Sequence, residues 1–297
     1  MNSVEHPRQP PVTMVNLAVR DLSSPVHLPR PLTPFVGRVA EVAAIVARLR
    51  TPGVRLLNLI GPGGIGKTRL AIAVAGELAE DYPDGIHYVR LVAATDPVHV
   101  PLAIAQSLEL RETGRDLESR IADVIGYRRT LIVLDNFEQV VEAAPFVASL
   151  LGACHNLTIL VTSRVRLQVT GENEYRVRPL HLPRLDQTSP PTIEELTSTD
   201  AVALFLDRAR STAAILDDDD IRVVSEICDH LEGIPLGIEL AAARLRVLSP
   251  RLVLDRLRHQ LEFLTGGESD RPAHQRTMRD TVAWSYDLLP PAEQSAF

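Results

Sequence analysis

Gly61-Pro62-Gly63-Gly64-Ile65-Gly66-Lys67-Thr68 stands between a short apolar run rich in branched residues, 54–60, and a stretch of strong helix formers, 70–80. It matches G-x-x-x-x-G-K-[ST] in the strand–loop–helix setting that this pattern needs. Glycines let backbone N–H groups turn inward around phosphate oxygens, and the following helix N-terminus adds positive potential. Lys67 is placed to reach the β- and γ-phosphates, and the Thr68 hydroxyl to ligate Mg2+. A chance match is on the order of one in several thousand. Of 31 basic residues 30 are arginine, so the single lysine of the chain falls in the one slot where the pattern demands it.

Working outward, 54–60, 86–92, 131–134 and 158–162 read as buried strands. Helical stretches are predicted at 98–109, 116–127 and 138–151, with Val42, Ile45, Val46 and Leu49 on one helical face before the loop. Strands alternating with helices predict an α/β fold, a parallel sheet with helices on both faces. Such sheets bind ligands beyond the carboxyl ends of their strands. Two further motifs fall there. The first is Leu131-Ile-Val-Leu-Asp135-Asn136-Phe137-Glu138, whose Asp135 is placed to hold Mg2+. Asn136 stands where many ATPases carry an acid, and an amide cannot serve as a base; Glu138 is a candidate substitute, and fast hydrolysis is not expected. The second is Thr162-Ser163-Arg164, with Arg164 placed to sense a γ-phosphate.

The chain has 297 residues, 45% hydrophobic and 23% charged, and a net charge of −7. That composition is globular, and the acidic balance argues against a broad nucleic-acid surface on this segment. Two cysteines cannot make a disulfide framework, no histidine pair has zinc spacing, and G-x-S-x-G is missing. With no second lysine there is no Asn-Lys-x-Asp loop, so adenine is preferred to guanine. The uncharged run 143–163 is interrupted by Gly152-Ala-Cys-His-Asn156 and reads as a helix end plus a strand, so no membrane partner is expected. A cytoplasmic location follows as an expectation.

Four segments are expected: an N-terminal arm at 1–30, a phosphate-binding domain at 31–190, a helical domain at 191–272 and a last piece at 273–297. Stripes at Val202/Phe205/Leu206/Ala209, Val224/Ile227/Cys228/Leu231 and Leu254/Leu257/Leu261/Leu264 predict a small helical bundle. Asp217 to Asp220 read as an acidic helix start. The chain stops inside what reads as another helix start, as a truncated fragment would.

With these motifs in order, the chain resembles the NB-ARC branch of the STAND ATPases, in the form found in bacterial regulators. Leu28-Pro29 and Thr33-Pro34-Phe35-Val36-Gly37-Arg38 look like the motif preceding the P-loop in that family, and Gly233-Ile234-Pro235-Leu236-Gly237 resembles its GLPL motif. Residues 276–289 are similar to the opening of its winged-helix domain. The resemblance implies a nucleotide site of Phe35, Val36, Arg38, Gly61, Gly63, Gly64, Ile65, Gly66, Lys67, Thr68, Arg69, Pro235 and Leu236, with Mg2+ on Thr68 and Asp135. It assigns catalysis to Lys67, Asp135, Asn136, Glu138 and Arg164. It further implies an ATP/ADP switch of signal transduction or transcription: an ADP-bound resting state, a homo-oligomer in the ATP state and slow hydrolysis. By this resemblance, residues 1–297 are expected to stop short of the family's ADP-contacting histidine and to hold neither its sensor repeats nor an effector domain. Two rivals stay open, an AAA+-like ATPase with brisk turnover and a non-enzymatic scaffold with structural ADP.

Overall fold

The computed structural model describes residues 26–110, 116–183, 191–212 and 215–259. Most of the expected N-terminal arm and the whole segment 273–297, with the winged-helix resemblance, lie outside these residues.

By compactness the chain divides into two units that are not contiguous in sequence. Among the described residues, one holds those of 26–33 and 38–178, the other those of 34–37 and 179–259.

The first unit is built on a six-stranded sheet in the order β1-β3-β4-β5-β2-β6. The strands are β1 (Val26–His27), β2 (Leu56–Ile60), β3 (Ile86–Arg90), β4 (Leu131–Asp135), β5 (Thr158–Ser163) and β6 (Glu172–Arg176). Every neighbouring pair is parallel. Residues of β4 and β5 are buried on both faces, which is why these strands read as unbroken apolar runs. The helices of this unit are α1 (Val39–Leu49), α2 (Lys67–Glu77), α3 (His99–Ser107), α4 (Leu117–Ile125) and α5 (Ala144–Ala153). Leu56, Val89, Ile132, Leu134, Ile159 and Val161 of the sheet share a core with Val100, Ile104, Ile121, Ile125, Val147 and Leu150 of α3, α4 and α5. Each such side chain contributes about 1.5–3 kcal/mol by leaving water. The buried face of α2, including Leu70, Ala71, Val74 and Ala75, packs on β2, β4 and β5.

Three local expectations change. The helix predicted at 138–151 starts only at Ala144, after 3-10 turns at Phe137–Gln139 and Val141–Ala143; Pro145 suits the first turn of a helix but not its interior. The last residues of the expected arm include β1, which pairs with β3 at the sheet edge. A sixth strand, β6, lies where no strand was expected.

The second unit is helical, with α6 (Ile193–Ser198), α7 (Asp200–Ala209), α8 (Asp218–His230), α9 (Pro235–Ala243) and α10 (Pro250–His259). Thr192 caps α6 in a capping box with Glu195, and Asp217 caps α8 by accepting from the Asp220 N–H. Val36, Leu180, Val202, Phe205, Val224, Ile227, Leu236, Ile238 and Leu254 form its core. Gly233, at φ +67°, links α8 to α9, and a Cβ there would stand 2.5 Å from the Leu180 carbonyl oxygen. The Leu180 N–H donates to the Gly233 carbonyl at 2.9 Å, so close backbone approach requires glycine here. No described helix is long and apolar enough to cross a membrane.

Candidate functional site

β2 delivers the glycine-rich loop to the carboxyl edge of the sheet, where the Gly61 N–H donates to the Ser163 carbonyl at 3.3 Å. Gly64 and Gly66 have φ values of 75° and 93°, a region that side chains disfavour by about 1–2 kcal/mol. Arg38 braces the loop: one guanidinium nitrogen donates to the carbonyls of Ile65 and Arg178, each at 2.8 Å, and the other to Glu41 at 3.1 Å. These contacts give Arg38 a loop-holding position, which its reading as a nucleotide-site residue did not include. Arg69 donates to the Thr33 hydroxyl at 2.9 Å and carbonyl at 2.8 Å.

Lys67 opens α2 and is only 8% exposed. Its ammonium donates to the carbonyls of Gly61 at 2.7 Å and Pro62 at 3.1 Å. Burial pulls its pKa down to about 8; the charges of Glu138 and Asp135 oppose the shift, and Arg164 adds to it. A cation held in so dry a place is primed for an anion. The loop geometry and this lysine fit a di- or triphosphate.

Next to it, Asp135 ends β4 and is 1% exposed. Its Oδ1 accepts from the Thr68 hydroxyl at 2.8 Å and the Thr162 hydroxyl at 2.6 Å, and its Oδ2 from Tyr88 at 2.7 Å. The sequence placed Thr68 and Asp135 together, and the structure brings them into contact. A hydroxyl and a carboxylate oxygen are hard donors that would suit Mg2+.

Tyr88, in the middle of β3, is a site residue that sequence reasoning missed. Burial and the Asp135 charge push its phenol pKa upward, so it remains a donor throughout the ordinary pH range. Tyr88→Phe is expected to cost about 1–2 kcal/mol in a denaturant titration, as one charge-assisted hydrogen bond to a buried carboxylate disappears. A stability equal to wild type would contradict that bond.

Asn136 sits in the left-handed region at φ 65°, its N–H donating to the Thr162 hydroxyl at 3.0 Å. Its backbone therefore serves the turn that follows β4. Glu138, one residue into that turn, pairs with Arg164 beyond the end of β5: Nε to Oε1 is 3.2 Å, with side chains 10% (Arg164) and 3% (Glu138) exposed. The second carboxylate oxygen of Glu138 is buried without a hydrogen-bond partner. Lys67, Thr68, Asp135, Asn136, Glu138 and Arg164 thus all lie at the strand ends of the first unit.

The remaining expected site residues belong to the second unit. Phe35 is buried, Val36 and Leu236 are part of that unit's core, and Pro235 occupies the first turn of α9.

Residues 38–188 match the family model of the NB-ARC domain. A putative HTH-type transcriptional regulator of Mycobacterium tuberculosis is 38% identical over 247 residues, covering 82% of this chain and 26% of the regulator. The regulatory protein AfsR of Streptomyces griseus is 32% identical over 295 residues, covering 92% of this chain and 27% of its own length. The chain thus spans about a quarter of the length of these curated relatives. Among solved structures, a STAND protein with a tetratricopeptide repeat sensor from Pyrococcus horikoshii is similar at 17% identity and a TM-score of 0.44, over 90% of this chain and 34% of that one.

Proposed function

Because this chain belongs to the NB-ARC domain family, we propose that it is an adenine-nucleotide-operated regulatory switch that rests with ADP and hydrolyses ATP slowly. The observation that carries the proposal is the buried cluster at the strand ends. Lys67, with its pKa lowered to about 8, stands at the start of α2, and Thr68 beside it is hydrogen-bonded to Asp135 at 2.8 Å.

In this reading the loop N–H groups and Lys67 hold the phosphates, and Thr68 and Asp135 hold Mg2+. Bound Mg2+ would neutralise charge on the β- and γ-phosphates. Arg164 is the partner for a terminal phosphate, since a guanidinium binds phosphate oxygens in a fixed fork. Slow turnover is supported by Asn136, which stands after Asp135 and cannot take a proton from water. Similarity to a transcriptional regulator and to AfsR extends the proposal to control of transcription within the cytoplasm. A switch needs a nucleotide that binds one conformation more tightly than the other.

The test is to acid-release and chromatograph the nucleotide that accompanies the purified protein, then to exchange it for labelled ATP. ADP in near-stoichiometric amount that ATP displaces supports the switch. ADP that never exchanges would convert the reading into a structural cofactor, and brisk steady-state turnover would convert it into a motor.

A further inference from the structure

Glu138 and Arg164 approach each other from the ends of two adjacent strands, β4 and β5, and both side chains are nearly withdrawn from water. A buried carboxylate is stable only when its oxygens are satisfied, yet Oε2 of Glu138 accepts no hydrogen bond. Arg164 holds one oxygen and leaves the other idle. Both charges act on Lys67, in opposite directions, so the pair lies within electrostatic reach of the ammonium assigned to the phosphates.

We propose that the Glu138–Arg164 ion pair is a latch that the terminal phosphate of a nucleoside triphosphate opens. This inference rests on the nucleotide-switch reading and deepens it by joining sensing to catalysis. With a diphosphate bound, the guanidinium stays on Glu138. A third phosphate supplies a competing anion for Arg164, and the released carboxylate becomes the proton acceptor that Asn136 cannot be. The water oxygen then bonds to the terminal phosphorus as the bond from that phosphorus to the bridging oxygen breaks. The electron pair leaves with the diphosphate, and the water proton passes to Oε2 of Glu138 and on to solvent. Once phosphate departs, Arg164 returns to Glu138.

The experiment compares the full chain with E138Q, R164A and the double variant, using Mg2+ with ADP and with a non-hydrolysable ATP analogue in calorimetric titrations. E138Q keeps the shape of the side chain and an acceptor oxygen. It is expected to raise the triphosphate-to-diphosphate affinity ratio about tenfold, since Arg164 no longer has to leave a charge. R164A is expected to lower that ratio about tenfold, and the double variant to behave like R164A. At equal occupancy, E138Q is expected to slow single-turnover hydrolysis about a hundredfold. A ratio unchanged in E138Q, with both affinities moving together, would show a merely structural pair and overturn the latch while leaving the switch intact. If E138Q does not fold, E138D, which keeps the charge but draws the carboxylate back from Arg164 by one methylene, is read by the same ratio: a rise supports the latch and an unchanged ratio overturns it. If wild type binds neither nucleotide, switch and latch fall together.

Discussion

Lys67→Ala is expected to weaken binding of both ADP and ATP by at least about a hundredfold, and the protein is expected to purify empty. Lys67 is the only lysine of the chain, and its ammonium donates to two loop carbonyls. A phosphate replaces those neutral acceptors with full negative charge inside a dry site, where one charge-assisted contact counts for much more than in water. The same burial sets a pH dependence. In the unliganded protein the pKa lies at about 8 against 10.5 for a free lysine, so the unfolded chain binds more protons between those values. Stability of the empty protein should therefore rise as pH increases through about 8 toward 10.5. Nucleotide affinity should run the other way, falling about tenfold per pH unit above 8, because an anion binds the protonated form. Lys67→Met, which keeps the apolar stem, should abolish both trends and leave the empty protein at least as stable at pH 7. Nucleotide titrations and thermal melts between pH 7 and 10 check these outcomes, and a variant that retains nucleotide as wild type does would refute the assignment.

Asp135→Ala is expected to split the two nucleotides apart. ADP binding without Mg2+ should change by less than about threefold, whereas the gain in ATP affinity on adding Mg2+ should vanish. The stability cost is expected to be about 3 kcal/mol, because three hydroxyls, of Thr68, Thr162 and Tyr88, lose the carboxylate that accepts from them. Calorimetry with and without Mg2+ reads the first effect and denaturant unfolding the second. Unaltered Mg2+ dependence would remove Asp135 from the metal-binding role.

The parts of this molecule that were legible in sequence are those where one physical requirement fixes the residue type. The loop needs glycines at positive φ and a cation after them; β4 and β5 need apolar side chains on both faces and so stand out as runs. β6 hides because Glu172–Arg176 reads ENEYR, an edge strand whose residues are only partly covered and show no alternation. β1 is two residues long, too short for any period. Tyr88 was legible as part of a strand and not as part of the site, since its bond to Asp135 depends on β3 and β4 being neighbours in register. Arg38 was legible as a motif residue, but its hold on the Ile65 carbonyl spans 27 positions and no local pattern encodes it. The pairing of Glu138 with Arg164 was hidden for the same reason.

The interrupted course of the two compact units bears on how the chain can be dissected. Residues 34–37 belong with 179 onward, and Val36 lies in the helical core, so a fragment excised at Pro179 would leave behind one of its own core side chains. Splitting this protein by a single cut yields one half with a cavity and the other with an orphaned apolar tail. A faithful helical module would have to be made as a fusion, carrying 34–37 grafted by a flexible linker onto the segment that starts at Pro179.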